Sequence, residues 1–192
     1  KVLWITTGLG SGGAEMMLAQ IISGLPKIHH TVVSLTKGGK HADTLRKAGI
    51  DVHSLDMPAG RPTLRSLWRL FKIMRQTKPD VLMGWMYHGC LTAVFAKLMS
   101  FKRVSMIWNI RQSLYDLKLE KRGSAMVIRM LAKLSWLPDR ITYNSQLSAK
   151  QHEAIGYRKT KTQLIANGFD LTKWQPGTPT RSLIGRFGRN AA

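Results

Sequence analysis

Glycine residues crowd the segment that follows the first strand-like run of the chain. Gly8, Gly10, Gly12 and Gly13 come after the run VLWIT and before an amphipathic helical pattern. Glycine lets another molecule approach the backbone closely, and the unpaired N–H groups at a helix N-terminus favour phosphate. The loop therefore predicts a site for a phosphate compound. A tight turn that only packs the helix on the strand is the alternative.

The spacing of these glycines narrows the choice of ligand. Gly8, Gly10 and Gly13 satisfy the G-x-G-x-x-G pattern of dinucleotide-binding folds. Such folds place an acidic residue about 20 residues further on to hold the ribose. Here residues 35–39 contain no carboxylate, and Lys37 suits an extra phosphate instead. An NAD(P)-dependent oxidoreductase stays open, whereas a P-loop is excluded because no Gly-Lys-Ser/Thr follows.

His88 and Arg111 lie just beyond two later strand-like runs. A histidine can act on a substrate hydroxyl or hold a phosphate, and a guanidinium fork suits phosphate oxygens. The alternatives are packing of His88 on Tyr87 and a salt bridge from Arg111 to Asp116. No two carboxylates share a strand end, which argues against hydrolytic acid–base chemistry. No metal-ligand spacing is present in the sequence either.

A basic helix is predicted over residues 64–78. Its apolar residues, Leu64, Leu67, Leu70, Phe71 and Met74, are expected to face the sheet, and its basic face holds Arg65, Trp68, Arg69 and Lys72 together with Arg61 and Arg75. Charges of one sign around a tryptophan suit an anionic membrane surface or ligand. An ordinary solvated face of a surface helix is the alternative, and both stay open. Nucleic acid is not favoured, because no aromatic stacking platform is evident.

Continuous apolar runs alternate with helical patterns along the whole chain. Strands are expected at 2–6, 31–35, 51–55, 80–85, 104–109, 140–143 and 163–165, and helices after the glycine loop and at 44–48, 64–78, 88–99, 123–136 and 146–155. This alternation predicts an α/β fold, a Rossmann-like doubly wound parallel sheet covered on both faces. Ligands bind such sheets at the carboxyl ends of strands, near a topological switch point.

Composition adds three constraints. The net charge of +20 over 192 residues implies an anionic partner. The single cysteine, Cys90, excludes an internal disulfide and fits a reducing compartment. No apolar run of membrane-spanning length and no signal-peptide pattern is present. The chain begins inside a strand-like run and stops after another, SLIGRFGR, so we expect a fragment of a longer protein.

Two motifs carry a family resemblance. The start GSGGAE, followed by an amphipathic helix, resembles the N-terminal domain of family 4 glycosyltransferases, which have the GT-B fold. The segment 139–176 resembles the end of that domain. Its matching residues are Asn144-Ser145, Gly156-Tyr157, Ile165-Ala166-Asn167-Gly168-Phe169-Asp170, Trp174 and Pro176. The runs around His88 and Arg111 look like the branch that builds bacterial surface polysaccharides.

The resemblance implies a retaining glycosyltransferase that uses a nucleotide-sugar donor, with no cofactor and no metal. The acceptor would be a lipid-linked or lipopolysaccharide-type glycan, handled by a cytoplasmic protein peripheral on the inner face of the bacterial inner membrane. Residues 1–175 would form the acceptor-side domain, and 176–192 the linker and first strand of a donor-binding domain. The family's donor-side glutamates belong to the missing half, so the fragment alone is expected to be inactive.

The resemblance also implies roles for individual residues. Backbone N–H groups of Gly12 and Gly13 would reach the donor diphosphate, and His88 and Arg111 would face the acceptor or the reacting centre. The interdomain cleft would hold Asn144, Ser145, Asn167, Gly168 and Asp170. Many family members carry a histidine where this chain has Arg111, so a phosphate-holding Arg111 and a substituting His88 both stay open. A non-enzymatic membrane or nucleic-acid binding module is the second alternative, beside the oxidoreductase.

Overall fold

The structure is a computed structural model that describes residues 1–58 and 62–168. Within these residues seven strands alternate with six helices. The strands are β1 (Val2–Thr6), β2 (His30–Ser34), β3 (Asp51–Ser54), β4 (Val81–Trp85), β5 (Ser105–Ile110), β6 (Arg140–Tyr143) and β7 (Thr162–Leu164). The helices are α1 (Gly13–Ser23), α2 (Lys40–Lys47), α3 (Leu64–Thr77), α4 (Met86–Leu98), α5 (Arg122–Leu134) and α6 (Gln146–Ala154).

All seven strands form one parallel sheet in the order β3-β2-β1-β4-β5-β6-β7. The chain winds outward from β1 to β3, and β4 then returns to the free side of β1. The topological switch point therefore lies between β1 and β4, where ligand crevices form in open α/β sheets. The prediction of a Rossmann-like doubly wound sheet is confirmed.

Both faces of the sheet are buried, as the continuous apolar strands predict. In β1, Leu3 and Ile5 pack into the larger core, while Trp4 packs into a second core with residues of α1 and α2. Residues of α3, α4 and α5 cover the larger core. Successive side chains of a strand point to opposite faces, so one strand supplies both cores.

Helix α4 follows β4 without any loop. The helix begins at Met86, two residues before the predicted start, and Met86 has a φ of +61°. Left-handed backbone is unusual for a methionine, and such strain clusters at functional sites. One turn further on, a Cβ at Gly89 would lie 2.2 Å from the carbonyl oxygen of Ile5. Glycine thus lets α4 rest on the backbone of β1, which fixes the height of His88 above the sheet.

The prediction that five apolar residues of α3 face the sheet is wrong for two of them, Leu64 and Phe71. Leu64 is 87% exposed and Phe71 is 36% exposed, whereas Ile73 and Ser66 are buried. The helix begins beyond the edge of the core, and a capping box fixes its first turn, with Thr63 and Ser66 each bonding the backbone of the other. Helix α2 also begins four residues earlier than predicted. Arg61, Asp170 and the proposed second-domain segment 176–192 lie outside the described residues.

Candidate functional site

A cavity of about 330 Å³ opens at the switch point. Its walls come from the end of β1, the first turn of α1, the β4–α4 junction and the segment that leads into α5. Its polar lining residues include Thr6, Thr7, Glu15, His88, Gln112, Glu120 and Ser124. The sequence placed its ligand site at this edge of the sheet, and the structure forms the cavity there.

The glycine loop leaves the start of α1 open to this cavity. Gly12 is the N-cap and contributes no side-chain cap, while Gly13 lines the cavity. A Cβ at Gly10 or Gly13 would meet no atom within 4 Å. Packing of the helix on the strand therefore does not require glycine at these two positions, contrary to the tight-turn alternative. The first N–H groups of α1 have no partner inside the helix, which suits an anion.

Two carboxylates share the cavity, which the sequence did not predict. Glu15, in the first turn of α1, folds back so that its carboxylate lies over Gly12. Glu120 lies before α5 and accepts a hydrogen bond from Gln112 Nε2 at 2.8 Å. The cavity wall contains no lysine or arginine among the described residues. The whole chain has a net charge of +20, but the charged side chains that line this cavity, Glu15 and Glu120, are both hydrogen-bond acceptors.

His88 is half-buried in the cavity wall, and burial lowers the pKa of its imidazole. The ring is therefore neutral at pH 7 and can accept a proton. None of the described residues, 1–58 and 62–168, forms a hydrogen bond to this ring. The Thr92 hydroxyl (Oγ1) donates only to the backbone oxygen of His88. The neighbouring Tyr87 turns into the core, where its hydroxyl bonds His152 Nε2 at 2.9 Å. His88 is thus free for a ligand.

Arg111 reaches the same edge of the sheet but does not line the cavity. Its guanidinium lies 5.2 Å from the centre of the Trp85 ring and donates to the side-chain oxygen of Asn167. A longer contact of 3.5 Å joins it to Asn109 Oδ1. No salt bridge to Asp116 forms within the described part of the chain. Arg111 therefore ties the end of β5 to the segment beyond β7.

The structure describes four of the five predicted cleft residues, which follow the neighbouring strands β6 and β7. Ser145 is the N-cap of α6, and its hydroxyl accepts a hydrogen bond from Ser148 N at 3.1 Å. Asn144 is half-buried beside it, Asn167 contacts Arg111, and Gly168 is exposed. Asp170 lies outside the described residues. The side chain of Ser145 thus stabilises a helix, and of the four cleft residues that the structure describes only Asn167 hydrogen-bonds another candidate residue.

The basic face of α3 is present with one exception. Arg65 is exposed, Trp68 is 61% exposed, and the Lys72 ammonium lies 5.5 Å from the centre of the Trp68 ring. Arg69 instead pairs with Asp56 at 2.5 Å. Hydrogen bonds from Ser54 and Arg69 lower the pKa of Asp56. Because the periodicity of a helix does not show what a neighbouring loop presents, the sequence placed Arg69 on the open face.

Two absences apply to residues 1–58 and 62–168. No group of three or more His, Cys, Asp or Glu side chains is placed to hold a metal ion there. None of the helices in these ranges combines the length and the apolar character that crossing a bilayer requires.

Glu15 and Glu120 are the candidate site residues that sequence reasoning missed. Glu15 was visible as the acid of the GGAE motif, in the first helical turn after the glycine loop. Glu120 lies in an irregular segment with no periodic pattern, so nothing local indicated its direction. Only the pairing of β1 with β4 and β4 with β5 brings the two segments together.

In the comparison with protein families, the model of Glycosyltransferase Family 4 matches residues 11–173. The matched range includes Gly12 and Gly13 of the glycine loop, His88 and Arg111. No curated protein matches the chain.

Several solved structures resemble the chain in fold. Anabaena Alr3699/HepE in complex with UDP has a TM-score of 0.73 at 18% identity, over 98% of this chain and 50% of that one. The same protein in complex with UDP-glucose has a TM-score of 0.74 at 18% identity, over 97% and 49%. The apo lipopolysaccharide outer core galactosyltransferase WaaB has a TM-score of 0.62 at 16% identity, over 88% and 46%. The chain thus spans about half the length of these proteins.

Proposed function

Because the chain belongs to glycosyltransferase family 4, we propose that it is the acceptor-side half of an enzyme that transfers a sugar from a nucleotide-sugar. The transfer would retain the anomeric configuration and need no metal. The acceptor would be a lipid-linked or lipopolysaccharide-type glycan. Solved structures of similar fold support the nucleotide-sugar, since one of them is described with UDP-glucose and another as a lipopolysaccharide galactosyltransferase.

The observation that carries this proposal is the cavity at the switch point. A sugar presents hydroxyl groups, which donate hydrogen bonds, and Glu15 and Glu120 supply carboxylates that accept them. The neutral imidazole of His88 lies in the same wall and can accept the proton of an attacking hydroxyl. We therefore propose that the acceptor sugar binds in this cavity and that His88 contacts its reacting hydroxyl.

The donor diphosphate would lie at the start of α1, beside Gly12 and Gly13, where the Glu15 carboxylate now lies over Gly12 and would turn aside. The uncapped N–H groups there attract negative charge, and no Cβ narrows the approach at Gly13. Arg111 would stabilise the exit segment through Asn167 and present positive charge near the diphosphate. A donor-binding domain that follows the described residues would supply the remaining contacts.

The competing functions have less support. An NAD(P)-dependent oxidoreductase would need a ribose-binding group after β2, and residues 35–39 supply no carboxylate. A purely basic binding module does not explain a cavity with two carboxylates and a neutral histidine. The basic face of α3 instead supports attachment of the enzyme to an anionic membrane, which we propose to be the inner face of the bacterial inner membrane.

The test is sugar transfer by the protein that contains this chain and the rest of its natural gene product. Radiolabelled nucleotide-sugars are supplied with bacterial lipid extract, and label in the lipid fraction is measured. His88→Ala should lower the transfer rate by about 10²- to 10⁴-fold, with donor binding unchanged. His29→Ala, an exposed histidine outside the cavity, is the matched control.

Two results would overturn the proposal. One is full transfer by His88→Ala, because the cavity would then not hold the reacting hydroxyl. The other is transfer by the isolated 192-residue chain, which would show that no donor-binding half is needed. Tight binding of NADPH to the chain, with no binding of any nucleotide-sugar by the complete protein, would support the oxidoreductase instead.

A further inference from the structure

A second cavity, of about 500 Å³, lies between α3, α4 and α5. We call it the helix groove. Its walls are almost wholly apolar, and its principal side chains are Leu67, Leu70, Leu91, Phe95, Val127 and Met130. The hydroxyls of Ser66 and Thr92 also line it, but each already donates to a backbone oxygen nearby. The groove therefore offers apolar contact and little hydrogen bonding.

The groove is open to its surroundings. At its rim Met126 is 63% exposed and Phe95 is 41% exposed. Pro62 also lines the groove, and Leu64, two residues later at the start of α3, is 87% exposed. Large apolar side chains gathered around a deep cleft are unusual on a free surface and indicate a binding site.

His88 joins the helix groove to the cavity at the switch point, which we call the acceptor cavity because we assign it to the acceptor sugar. Its side chain lines both cavities, one on each side of the first turn of α4. A ligand that filled both would have an apolar part in the groove, a hydroxyl-rich part beside Glu15 and Glu120, and its junction at His88. That order of groups matches a molecule in which a sugar is attached to a hydrocarbon chain.

The charge around the groove is uniform. Helices α3, α4 and α5 contain no aspartate or glutamate. Three exposed arginines are sequence neighbours of groove residues: Arg65 on α3, and Arg122 and Arg129 on α5. Lys72 and Arg75 of α3 line other cavities. Arginines beside an apolar cleft favour an apolar ligand that carries an anionic group.

We propose that the helix groove holds the hydrocarbon chain of the acceptor, which is a lipid that carries a phosphate between its chain and its sugar. The inference rests on the proposed function and names the acceptor's substrate class. The apolar chain lies among Leu67, Leu91 and Met130, the phosphate at His88 where the two cavities meet, and the sugar in the acceptor cavity beyond it.

The test measures binding of hexyl, octyl, decyl and dodecyl phosphate to the 192-residue chain, each below its micelle concentration. Calorimetry gives the dissociation constants, and inorganic phosphate gives the baseline. Burial of each methylene in an apolar site tightens binding by roughly fourfold, so each step of the series should tighten it by roughly 15-fold until the groove is full.

Gly123 supplies a sharp pair of variants. It lines the groove in the first turn of α5, and a Cβ there would meet no atom within 4 Å. Gly123→Phe should place a ring in the groove from a Cβ position that meets no atom, flatten the chain-length series and weaken dodecyl phosphate binding at least tenfold. Gly123→Ala makes the same backbone change but leaves the groove open, so it should keep the series.

Met126→Glu tests the same groove by charge, because it places a carboxylate on the rim. It should also flatten the series. The matched control is Leu147→Glu, which changes a half-exposed leucine on α6 that does not line the groove. Both residues are exposed enough that folding should be unaffected, which circular dichroism checks.

Several results would overturn the inference. One is a dissociation constant that does not change with alkyl chain length in the wild type, and another is a chain-length dependence that Gly123→Phe leaves intact. A third is a dimer that Gly123→Phe converts to a monomer while neither form binds alkyl phosphates. Binding that appears only after removal of residues 169–192 would show that the chain covers its own groove. Sugar transfer to a soluble acceptor beside a flat series would leave the proposed function standing and reject this inference alone.

Discussion

Gly89→Ala should destabilise the protein, although alanine is the better helix former. Gly89 lies inside α4, and its Cα faces the backbone of β1. An added Cβ would lie 2.2 Å from the Ile5 carbonyl oxygen, and α4 would have to move away by about 1 Å to reach ordinary contact. Because the neighbour is backbone at the centre of the sheet, no rotamer change can relieve this clash.

The expected size follows from two opposing effects. Replacing an interior helical glycine by alanine stabilises by about 1 kcal/mol. Overpacking against a fixed neighbour costs about 3 kcal/mol, at the upper end of the usual range. We therefore expect the free energy of unfolding to fall by about 2 kcal/mol. With a urea m-value of about 2 kcal/mol per molar, the midpoint should fall by about 1 M.

Gly123→Ala is the matched control for this prediction. It makes the same substitution in another helix, at a position where the Cβ meets nothing. Its free energy of unfolding should rise by about 0.5 kcal/mol. Urea unfolding followed by circular dichroism measures both variants. Equal changes in the two, or a stable Gly89→Ala variant, would refute the claim that α4 rests on the backbone of β1.

Two further predictions concern pH and membranes. His152 donates from Nδ1 to the backbone and accepts the Tyr87 hydroxyl at Nε2, and burial lowers its pKa below 6.5, so the free energy of unfolding should fall as the pH drops below about 6.5. Urea unfolding between pH 7.5 and 5 measures this, and a His152→Gln variant with the same pH slope would contradict it. Arg65→Ala with Lys72→Ala should weaken binding to phosphatidylglycerol vesicles by about 30-fold in cosedimentation. An equal loss in Lys47→Ala, on the opposite face, would show only a general charge effect.

Most of the fold could be predicted because its signals are local. Apolar runs and helical periods located every strand to within one or two residues, and their alternation required a parallel sheet. The start of α4 was missed because Met86 adopts a left-handed backbone, which no propensity assigns to methionine. Periodicity gave α3 its apolar stripe, but it could not show that Leu64 lies beyond the edge of the core.

The candidate site was predicted less completely, because it depends on contacts between distant segments. The carboxyl-edge rule selected the loops after β1 and β4, and Gly13 and His88 from these loops line one cavity. It could not show that Glu15 folds back over Gly12 or that Glu120 turns inward, since both depend on side-chain direction. In the same way, Arg111 was expected beside the cavity, but the ring of Trp85 and Asn167 hold it outside.

The interior position of β1 in the sheet has a consequence for synthesis on the ribosome. This strand pairs with β2 on one side, but its other partner, β4, follows only at Val81. At about 5–20 residues per second, β1 has an open edge for roughly 4 to 15 s before Val81–Trp85 is made. Leu3 and Ile5 are exposed during that interval, which favours aggregation of the nascent chain. Chaperone depletion should therefore reduce the soluble yield of this protein more than that of one whose central strand is translated last.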